Sequence, residues 1–347
     1  MITLTLEEAT KLCIRAAVAL GASKQSAVSL AQATVDAEAA GAGSLGFLHF
    51  FDYLDALRDG RIAGSAEPTT TRPAKAIILS DAAGGIAHLG FDNAFEDIVE
   101  TTQDLGVAVF SQRNAYTCGA LGYFVDRLAR RDLLSFAVAN APAQVVTRGA
   151  QEPVYGTNPM AFGAPLGVGI QPLLIDQSSS ATAFANIRQA AGEGRELPKG
   201  WAVDKHGRPT TNSQEALMGA LLTFGGSKGA NIAMMVEILA TASGASWSLD
   251  APSYLEGETS PAVGLFILAI KPELLNAEFG SRLAAHLGRL HTEHGVHVPG
   301  SRQIETREQA RDNGLTLDKD IHERLLSVNN QKTTTELGPQ PRFNRHQ

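Results

Sequence analysis

The chain has 347 residues, of which 44% are hydrophobic and 19% are charged, and its formal net charge is −7. This length and composition predict a globular protein with two or three structural units and argue against a disordered chain. The acidic balance, without a basic stripe, argues against nucleic acid and anionic membranes as partners, and no run of 18 apolar residues indicates a membrane-spanning helix.

The two cysteines, Cys13 and Cys118, are too few for a disulfide framework, and no Cys/His spacing indicates a zinc site, so we expect no metal. The first residues, MITLTLEEATKL, place acidic side chains before any apolar run, which is unlike a secretory signal peptide. These features predict a cytoplasmic protein.

Residues 1–40 predict two helices. Thr5 and Glu8 have the spacing of a capping box at the start of the first helix, Gly21 ends it, and Ser23 caps the second. The apolar residues between these signals fall on one helical face, which indicates an amphipathic pair of helices.

Residues 41–46, GAGSLG, match the letters of the dinucleotide fingerprint G-x-G-x-x-G. That fingerprint requires a strand before it and a helix after it, whereas here an alanine-rich helix precedes it. We therefore predict a loop between two helices. Residues 47–57 predict the second of these helices. His49, near several phenylalanines, is by itself more typical of a half-buried structural residue than of a catalyst.

A turn-rich stretch, residues 60–71, is a candidate unit boundary. Beyond it the pattern predicts a strand at 76–80, a helix at 91–105 and a strand at 107–110. Residues 113–124, RNAYTCGALGYF, lead into a predicted helix at 123–131. Two interpretations stay open for this turn: its backbone amides receive phosphate oxygens, or it binds no ligand.

Residues 156–165, GTNPMAFGAP, begin with a turn, because Asn-Pro keeps the chain out of a helix. A strand at 134–138 precedes the turn, and strands at 160–165 and 172–175 follow it. Asp176 and three serines stand at the end of the last strand. They indicate either a small-anion site or a solvated hairpin, of which the hairpin is the commoner arrangement.

The second half of the chain alternates helices and strands. The loop at 193–207 contains Asp204 and His206, whose spacing is more typical of surface turn chemistry than of a metal site. Residues 225–229, GGSKG, open an apolar helix, and Lys228 can bind an anion there, although the full phosphate-loop pattern is absent. The remaining elements are a helix at 181–191, the apolar helix at 230–244, a strand at 263–270, helices at 272–289 and 307–313, and a polar tail at 331–347.

Together these motifs resemble the malate/L-lactate dehydrogenase-type family of NAD(P)H-dependent oxidoreductases. This family includes ureidoglycolate and sulfolactate dehydrogenases and the reductases of delta-1-pyrroline- and delta-1-piperideine-2-carboxylate. The resemblance runs from Leu4 to Leu315, and its most specific parts are GTNPMAFGAP, ELPKGWAVDKHGRPTT, GGSKGANIAMMVEIL and FILAIKPELL.

The resemblance implies a non-Rossmann α/β fold and a homodimer acting on a small molecule. The implied units are a helical N-terminal part at 1–60, a small α/β part at 61–115, an NAD(P)H-binding domain with a largely antiparallel sheet at 116–290, a C-terminal segment that packs back at 291–330, and a flexible tail at 331–347.

The resemblance also implies the binding residues. Arg302 is the implied partner of a ribose phosphate, because a guanidinium binds such a group through two nitrogens, so we expect NADPH, with NADH possible. Thr157 is the implied partner of the substrate carboxylate. The implied cofactor contacts are Thr117, Cys118, Gly119, Ala120, Leu121, Ile175, Asp176, Gln177, Lys228, Pro299, Gly300 and Arg302.

The chain departs from the family pattern at its implied catalytic positions. Where the family has Ser-His-Gly followed by a basic residue, this chain has Ser44-Leu45-Gly46 followed by His49. Leu45 cannot donate a proton. The acid of the imine-reducing members falls on Asn186, whose amide cannot tune a proton donor as a carboxylate does.

Three hypotheses follow. The first is a reductase of a cyclic imino acid, which forms L-proline or L-pipecolate and belongs to proline metabolism. In it Leu45 is a wall for the ring, His49 pairs with the carboxylate, and Ser44 bonds the product amine. The second is a 2-oxo-acid or 2-hydroxy-acid oxidoreductase with His49 as the acid. The third is a nucleotide-binding protein with degraded catalysis. We favour the first, because a protonated imine tolerates a missing acid.

Overall fold

The computed structural model describes residues 1–147, 149–150 and 152–335, and it is a mixed α/β structure. The described strands are β1 Ile2–Leu4, β2 Thr69–Ala74, β3 Ile77–Asp81, β4 Val107–Ala115, β5 Leu134–Ala139, β6 Val145–Val146, β7 Met160–Ala164, β8 Leu173–Gln177, β9 Ala202–Val203, β10 Pro209–Thr210, β11 Ala220–Leu222, β12 Val263–Ile270 and β13 Leu315–Leu317. The described helices are α1 Leu6–Ala19, α2 Lys24–Ala39, α3 Phe47–Arg58, α4 Ala87–Leu105, α5 Gly122–Ala129, α6 Phe184–Gly192, α7 Ser213–Leu217, α8 Ser227–Thr241, α9 Phe279–His294, α10 Ser301–Asn313 and α11 Lys319–Thr335.

The N-terminal part is helical, as its sequence predicts. Thr5 and Glu8 form the predicted capping box at the start of α1, and the Ser23 side chain caps α2. Cys13 lies on the buried face of α1. Strand β1 pairs antiparallel with β13, and α11 packs on α1, so the C-terminal segment returns to this part.

The central sheet has seven strands in the order β2-β3-β4-β12-β5-β7-β8. Among the described residues only the pair β3–β4 is parallel, and every other neighbouring pair in this sheet is antiparallel. Strands β4, β5 and β8 therefore run in the same direction, while β12 and β7 run in the opposite one. The carboxyl ends of β4, β5 and β8 consequently meet the first residues of β7 and β12 at one edge of the sheet.

The two faces of this sheet are covered by different helices, because successive side chains of a strand point to opposite faces. Phe91 of α4 and Phe124 of α5 pack with Ala137 of β5 in the largest core. Val236 of α8 packs with Val138 of β5 on the opposite face. The seven-stranded sheet is thus enclosed between α4 and α5 on one side and α8 on the other.

The predicted element boundaries differ from the observed ones at several places. Strand β4 continues five residues beyond the predicted end, and α10 begins at Ser301, six residues before the predicted start. The predicted helix at 272–289 is wrong at its start. There Pro272–Leu274 forms one 3-10 turn, and α9 begins only at Phe279.

A small four-stranded sheet, in the order β10-β9-β11-β6, was not predicted, because its strands are two or three residues long. Helix α11 extends to Thr335, so the first five residues of the predicted tail are helical, while residues 336–347 lie outside the described residues. In the described part of the chain no helix has the length and apolar character needed to cross a bilayer.

Candidate active site

A cavity of about 330 Å³ lies at the sheet edge where the strand ends converge. The cavity is lined by residues 117–119 after β4, residues 139–141 at the end of β5 and residues 176–178 at the end of β8, together with Thr157 before β7 and Val263 at the start of β12. The antiparallel order of the sheet thus gathers segments that are distant in sequence. The sequence predictions at 117–119, 157 and 176–177 fall at this one cavity.

The loop between α2 and α3 covers the cavity from the N-terminal part. Ser44 and Leu45 of this loop line the cavity. The Glu38 carboxylate of α2 accepts a hydrogen bond from the Phe47 backbone at 3.0 Å, and a Cβ at position 46 would overlap that carboxylate. Gly46 therefore lets the loop lie directly on α2. The G-x-G-x-x-G letters form a loop between helices, as predicted.

His49 also lines the cavity, and its ring is held from one side. Its Nδ1 lies 2.8 Å from Oδ2 of Asp52, one turn further along α3. Its Nε2 lies 3.5 Å from the Thr117 hydroxyl, which donates a hydrogen bond to the Tyr53 phenol oxygen at 2.6 Å. A carboxylate at Nδ1 fixes the ring orientation and keeps a proton on that nitrogen, so Nε2 is left to act toward a ligand.

The GTNP turn holds Thr157 at the cavity. Asn158 adopts a positive φ of 40°, and its amide donates to the Ala233 carbonyl at 2.9 Å and to the Glu237 carboxylate at 3.0 Å. Ser248 donates to the same carboxylate. This buried network ties the turn to α8. The Thr157 hydroxyl makes no hydrogen bond with the residues that the structure describes, so it is free for a ligand.

The carboxylate of Asp176, a residue near the end of β8, lies against the first turn of α5. Its Oδ2 accepts a hydrogen bond from the Gly122 backbone at 2.7 Å. Burial raises the pKa of Asp176 to about 6, against the opposing effect of the Gly122 hydrogen bond. The protein's own carboxylate thus occupies the first amide of α5. Of the two interpretations of this turn, phosphate binding at the Gly122 amide is not supported.

Several predicted binding residues lie outside the lining of this cavity. The Asn186 amide donates to the Thr182 hydroxyl at 2.9 Å and does not reach the cavity. Lys228 and Arg302 are exposed in the first turns of α8 and α10. The other predicted residues not among the cavity lining are Ala120, Leu121, Ile175, Pro299 and Gly300, whereas Cys118 and Gly119 line it.

Sequence reasoning missed other lining residues, among them Gln144, Arg188, Tyr254 and Gln303. Arg188 stands four residues after Phe184 on α6, a spacing that puts both on one helical face. That spacing was a readable signal. The others gave none, because Gln144 and Tyr254 come from two loops and Gln303 comes from a polar helix without a periodic apolar pattern.

The comparisons with known proteins decide the family. Residues 4–326 match the family described as malate/L-lactate dehydrogenase. The chain belongs to the malate/L-lactate dehydrogenase family. The resemblance found in the sequence is thereby confirmed, and with it the class of the protein, an oxidoreductase of a dehydrogenase family that uses a pyridine nucleotide.

Several relatives of this family are similar along nearly their whole length. The delta(1)-pyrroline-2-carboxylate/delta(1)-piperideine-2-carboxylate reductase of Pseudomonas aeruginosa is 32% identical, over 94% of this chain and 99% of the relative. The (2R)-3-sulfolactate dehydrogenase (NADP(+)) of Chromohalobacter salexigens is 33% identical, over 88% and 92%. The crystal structure of delta1-piperideine-2-carboxylate reductase from Pseudomonas syringae pv. tomato superimposes with a TM-score of 0.90 at 32% identity, covering 94% of this chain and 100% of that one.

The cavity suits the reacting end of a pyridine nucleotide. Its volume is near the lower end of the range for small-molecule sites, roughly 300–1,000 Å³, so a nicotinamide ring and a small substrate fit but a whole dinucleotide does not. The Gln177 side chain makes no hydrogen bond with the described residues, which leaves an amide free for the nicotinamide carboxamide.

Proposed function

We propose that the protein is an NADPH-dependent reductase of cyclic 2-carboxy imines. It converts delta-1-pyrroline-2-carboxylate to L-proline or delta-1-piperideine-2-carboxylate to L-pipecolate. Leu45 carries the proposal, because an apolar side chain lines the cavity where the resemblance implies a proton donor. Relatives named for these two imines, 32% and 34% identical, support the same substrate class.

The chemistry of imine reduction explains why a cavity without that donor is suitable. The imine nitrogen carries its proton before hydride transfer, so reduction at the carbon leaves a neutral amine. Reduction of a 2-oxo acid instead generates an alkoxide, which an acid must protonate. The nicotinamide cofactor supplies the hydride in either case.

The residues of the cavity then bind and orient the imine ring. Leu45 packs against the ring, and the free Thr157 hydroxyl donates a hydrogen bond to the substrate carboxylate. His49 contacts the same carboxylate through Nε2, and Ser44 bonds the product amine. None of these roles requires a side chain that changes its protonation state during the hydride step.

The cofactor is proposed to bind in a non-Rossmann manner along residues 117–121, 175–177 and 296–302, with Lys228 nearby. The antiparallel order of the seven-stranded sheet supports this, since a doubly wound dinucleotide fold has a parallel sheet. NADPH is proposed over NADH, because the Arg302 guanidinium has no carboxylate partner among the described residues and a relative is named for NADP(+).

We further propose that the protein is a homodimer. Helix α8 supports this, because it is apolar on both of its sides. Val236 and Ala240 are buried against the sheet, whereas Met234, Met235 and Ile238 are exposed on the outer side. An apolar face of this kind on a surface helix is typical of a protein interface.

The second candidate function, reduction of 2-oxo acids, is favoured by the pair of His49 and Asp52. A histidine held by a carboxylate at Nδ1 can deliver a proton from Nε2. The sulfolactate dehydrogenase relatives are consistent with that chemistry. The two candidates therefore assign different work to the same side chain.

The test is a substrate panel measured by the loss of NADPH absorbance, for the wild type and for His49→Ala. We expect the two cyclic imines to be reduced well, pyruvate and oxaloacetate poorly, and the variant to show a raised KM for imines with kcat largely kept. Rapid reduction of 2-oxo acids, with kcat abolished by His49→Ala, would establish the second candidate. Binding of NADPH without turnover of either class would indicate degraded catalysis.

A further inference from the structure

The charges that line the cavity are unequally paired. The ionisable side chains of the lining are His49, Asp176 and Arg188, together with Cys118 and Tyr254, whose pKa values are raised by burial so that both stay neutral. His49 is held by Asp52, and Asp176 accepts the Gly122 hydrogen bond. Arg188 forms no ion pair or hydrogen bond with any residue that the structure describes. It is therefore the cation of this lining whose charge remains available to a ligand.

Arg188 is an exposed residue of α6 that lines the cavity beside the Phe184 ring. Its guanidinium carbon lies 5.8 Å from the centre of the Phe184 ring, one turn earlier on the same helix. Burial and the Asp52 charge raise the pKa of Tyr254, whereas the positive charge of Arg188 lowers it, because it stabilises the ionised phenol. The Tyr254 ring is in turn 6.2 Å from the His49 ring. Tyr254, His49 and Arg188 all line the same cavity.

His49 supplies no net positive charge to a ligand, because the Asp52 carboxylate lies 2.8 Å from its Nδ1. A protonated His49 beside an ionised Asp52 is electrically neutral as a pair, and Asp176 adds negative charge to the same lining. A ligand carboxylate that leaves water needs a counter-charge as well as hydrogen bonds. Thr157 supplies only a neutral hydrogen bond.

We propose that Arg188 is the counter-charge for the substrate carboxylate and so determines that this site takes 2-carboxy imines rather than neutral cyclic imines. A guanidinium binds a carboxylate through two parallel hydrogen bonds, which fixes the orientation of the ring as well as its charge. The inference rests on the proposed function. It adds a specificity-determining residue on α6 to those contributed by the sheet edge and the α2–α3 loop.

The experiment compares two probes that cannot be reduced, pyrrole-2-carboxylate and pyrrole-2-carboxamide, bound to the NADPH-loaded enzyme and measured by calorimetry. Arg188→Met keeps the length of the side chain and removes the charge, and Arg188→Lys keeps the charge without the fork. Arg195→Met is the matched control, because Arg195 is exposed, pairs with Glu193 and does not line the cavity.

We expect Arg188→Met to weaken binding of the carboxylate probe by roughly 10- to 150-fold, the range for a lost charged hydrogen bond. Binding of the carboxamide probe and of NADPH should change less than about threefold, and Arg188→Lys should recover part of the loss. Arg195→Met should behave as the wild type. In turnover, KM for the cyclic imine should rise more than kcat falls.

If Arg188→Met weakens binding of both probes equally, the inference is overturned. It is also overturned if the variant weakens NADPH binding and leaves binding of the carboxylate probe unchanged. That second result would assign Arg188 to a cofactor phosphate. A wild-type enzyme that does not distinguish the two probes overturns the inference as well. Because the probes are not reduced, failure to reduce cyclic imines rejects the proposed function without deciding the role of Arg188.

Discussion

At position 45 this chain has leucine where the resemblance implies a proton donor. Leu45→His introduces an imidazole at the cavity wall, and general acids contribute roughly 10²- to 10⁴-fold to such steps. We expect the ratio of pyruvate to cyclic-imine reduction, taken from kcat/KM, to rise by at least about 10²-fold.

Leu48→His is the matched control for this change, because Leu48 stands three residues further on, in the first turn of α3, is 56% exposed and does not line the cavity. If Leu45→His folds and binds NADPH but leaves this ratio unchanged, the missing proton donor at position 45 is not what limits the reduction of 2-oxo acids.

Arg302 is the residue proposed to bind the 2′-phosphate of NADPH. Arg302→Ala should weaken NADPH by roughly 10- to 150-fold, because a charged contact to phosphate is lost, and NADH by less than about threefold. Fluorescence titration of both cofactors measures this. Arg289→Ala, an exposed arginine on α9, is the control. Equal weakening of NADPH and NADH would show that Arg302 does not bind the 2′-phosphate.

Asp176 makes stability depend on pH with a defined sign. Burial raises its folded-state pKa to about 6 from an ordinary 3.8. Between these values the native state keeps a proton that the unfolded chain has released, so the free energy of unfolding falls as pH rises from about 4 to about 6. Asp176→Asn removes this dependence and should gain stability relative to wild type over that window, by up to about 3 kcal/mol.

Urea unfolding at several pH values measures the difference in the free energy of unfolding between Asp176→Asn and wild type. Asp204→Asn is a control for which the expected change in stability has the opposite sign. Backbone hydrogen bonds, first that from Arg208, lower the pKa of Asp204 to about 2. Its contribution is present above pH 4 and is lost as pH falls toward 2, so this variant should be less stable near neutral pH. Parallel pH profiles for wild type and Asp176→Asn would contradict the assignment.

The residues of the cavity divide by how far the sequence could locate them. Thr117, Thr157 and Asp176 stand at strand ends within recognisable motifs, and the cavity contains all three. Arg188 lies in a helix without a motif and was not identified from the sequence, although its spacing from Phe184 places both on one helical face. Asn186 was located by counting along the chain, and counting carries no information on which side of α6 a residue faces.

At the scale of elements, the GTNP turn is the piece whose geometry depends most on other parts of the chain. Asn158 joins this turn to α8 through Ala233 and Glu237, in a left-handed backbone conformation that alanine adopts poorly. Asn158→Ala should lower the free energy of unfolding by about 2–4 kcal/mol, since the buried Glu237 carboxylate loses a donor.

Denaturant unfolding measures that loss, with Asn231→Ala, an exposed position on α8, as the control. Asn158→Ala should also raise KM for the imine, because Thr157 directly precedes Asn158 and its hydroxyl would lose its fixed position. A loss no larger than that of the control would contradict a stabilising role of the network.

The sequence predicts elements well where a long apolar period exists and poorly where it does not. Strand β12 was predicted at its observed bounds, because eight apolar residues in a row lie between polar turns. The strands β6 and β9 have two residues each, too few to show any period, and their pairing depends on contacts across the chain. The order of the strands, which creates the cavity, is likewise set by packing and not by any local signal.

At the scale of the whole molecule, α8 has two sides in different environments: one side packs on the central sheet, and the other side is exposed. A helix that is apolar on all sides is typical of a buried position. In the single chain its outer side nevertheless exposes Met234, Met235 and Ile238, and Trp247 and Leu249 are exposed in the segment that follows it. Helix α9 differs, because its outer residues are mostly polar or charged. The contrast favours α8 as the surface of the proposed dimer.

Ile238→Glu tests this surface. Ile238 is 54% exposed, so glutamate is tolerated in the monomer, but a two-fold interface would bury the charge twice. An uncompensated buried charge costs about 3–5 kcal/mol, which weakens association by more than about 10²-fold. Light scattering coupled to gel filtration should therefore give a dimer mass for wild type and a monomer mass for the variant. Val168→Glu, at a 99% exposed loop position between β7 and β8, should remain dimeric. A dimeric Ile238→Glu would exclude α8 and point to another exposed apolar surface, such as Leu274 and Leu275.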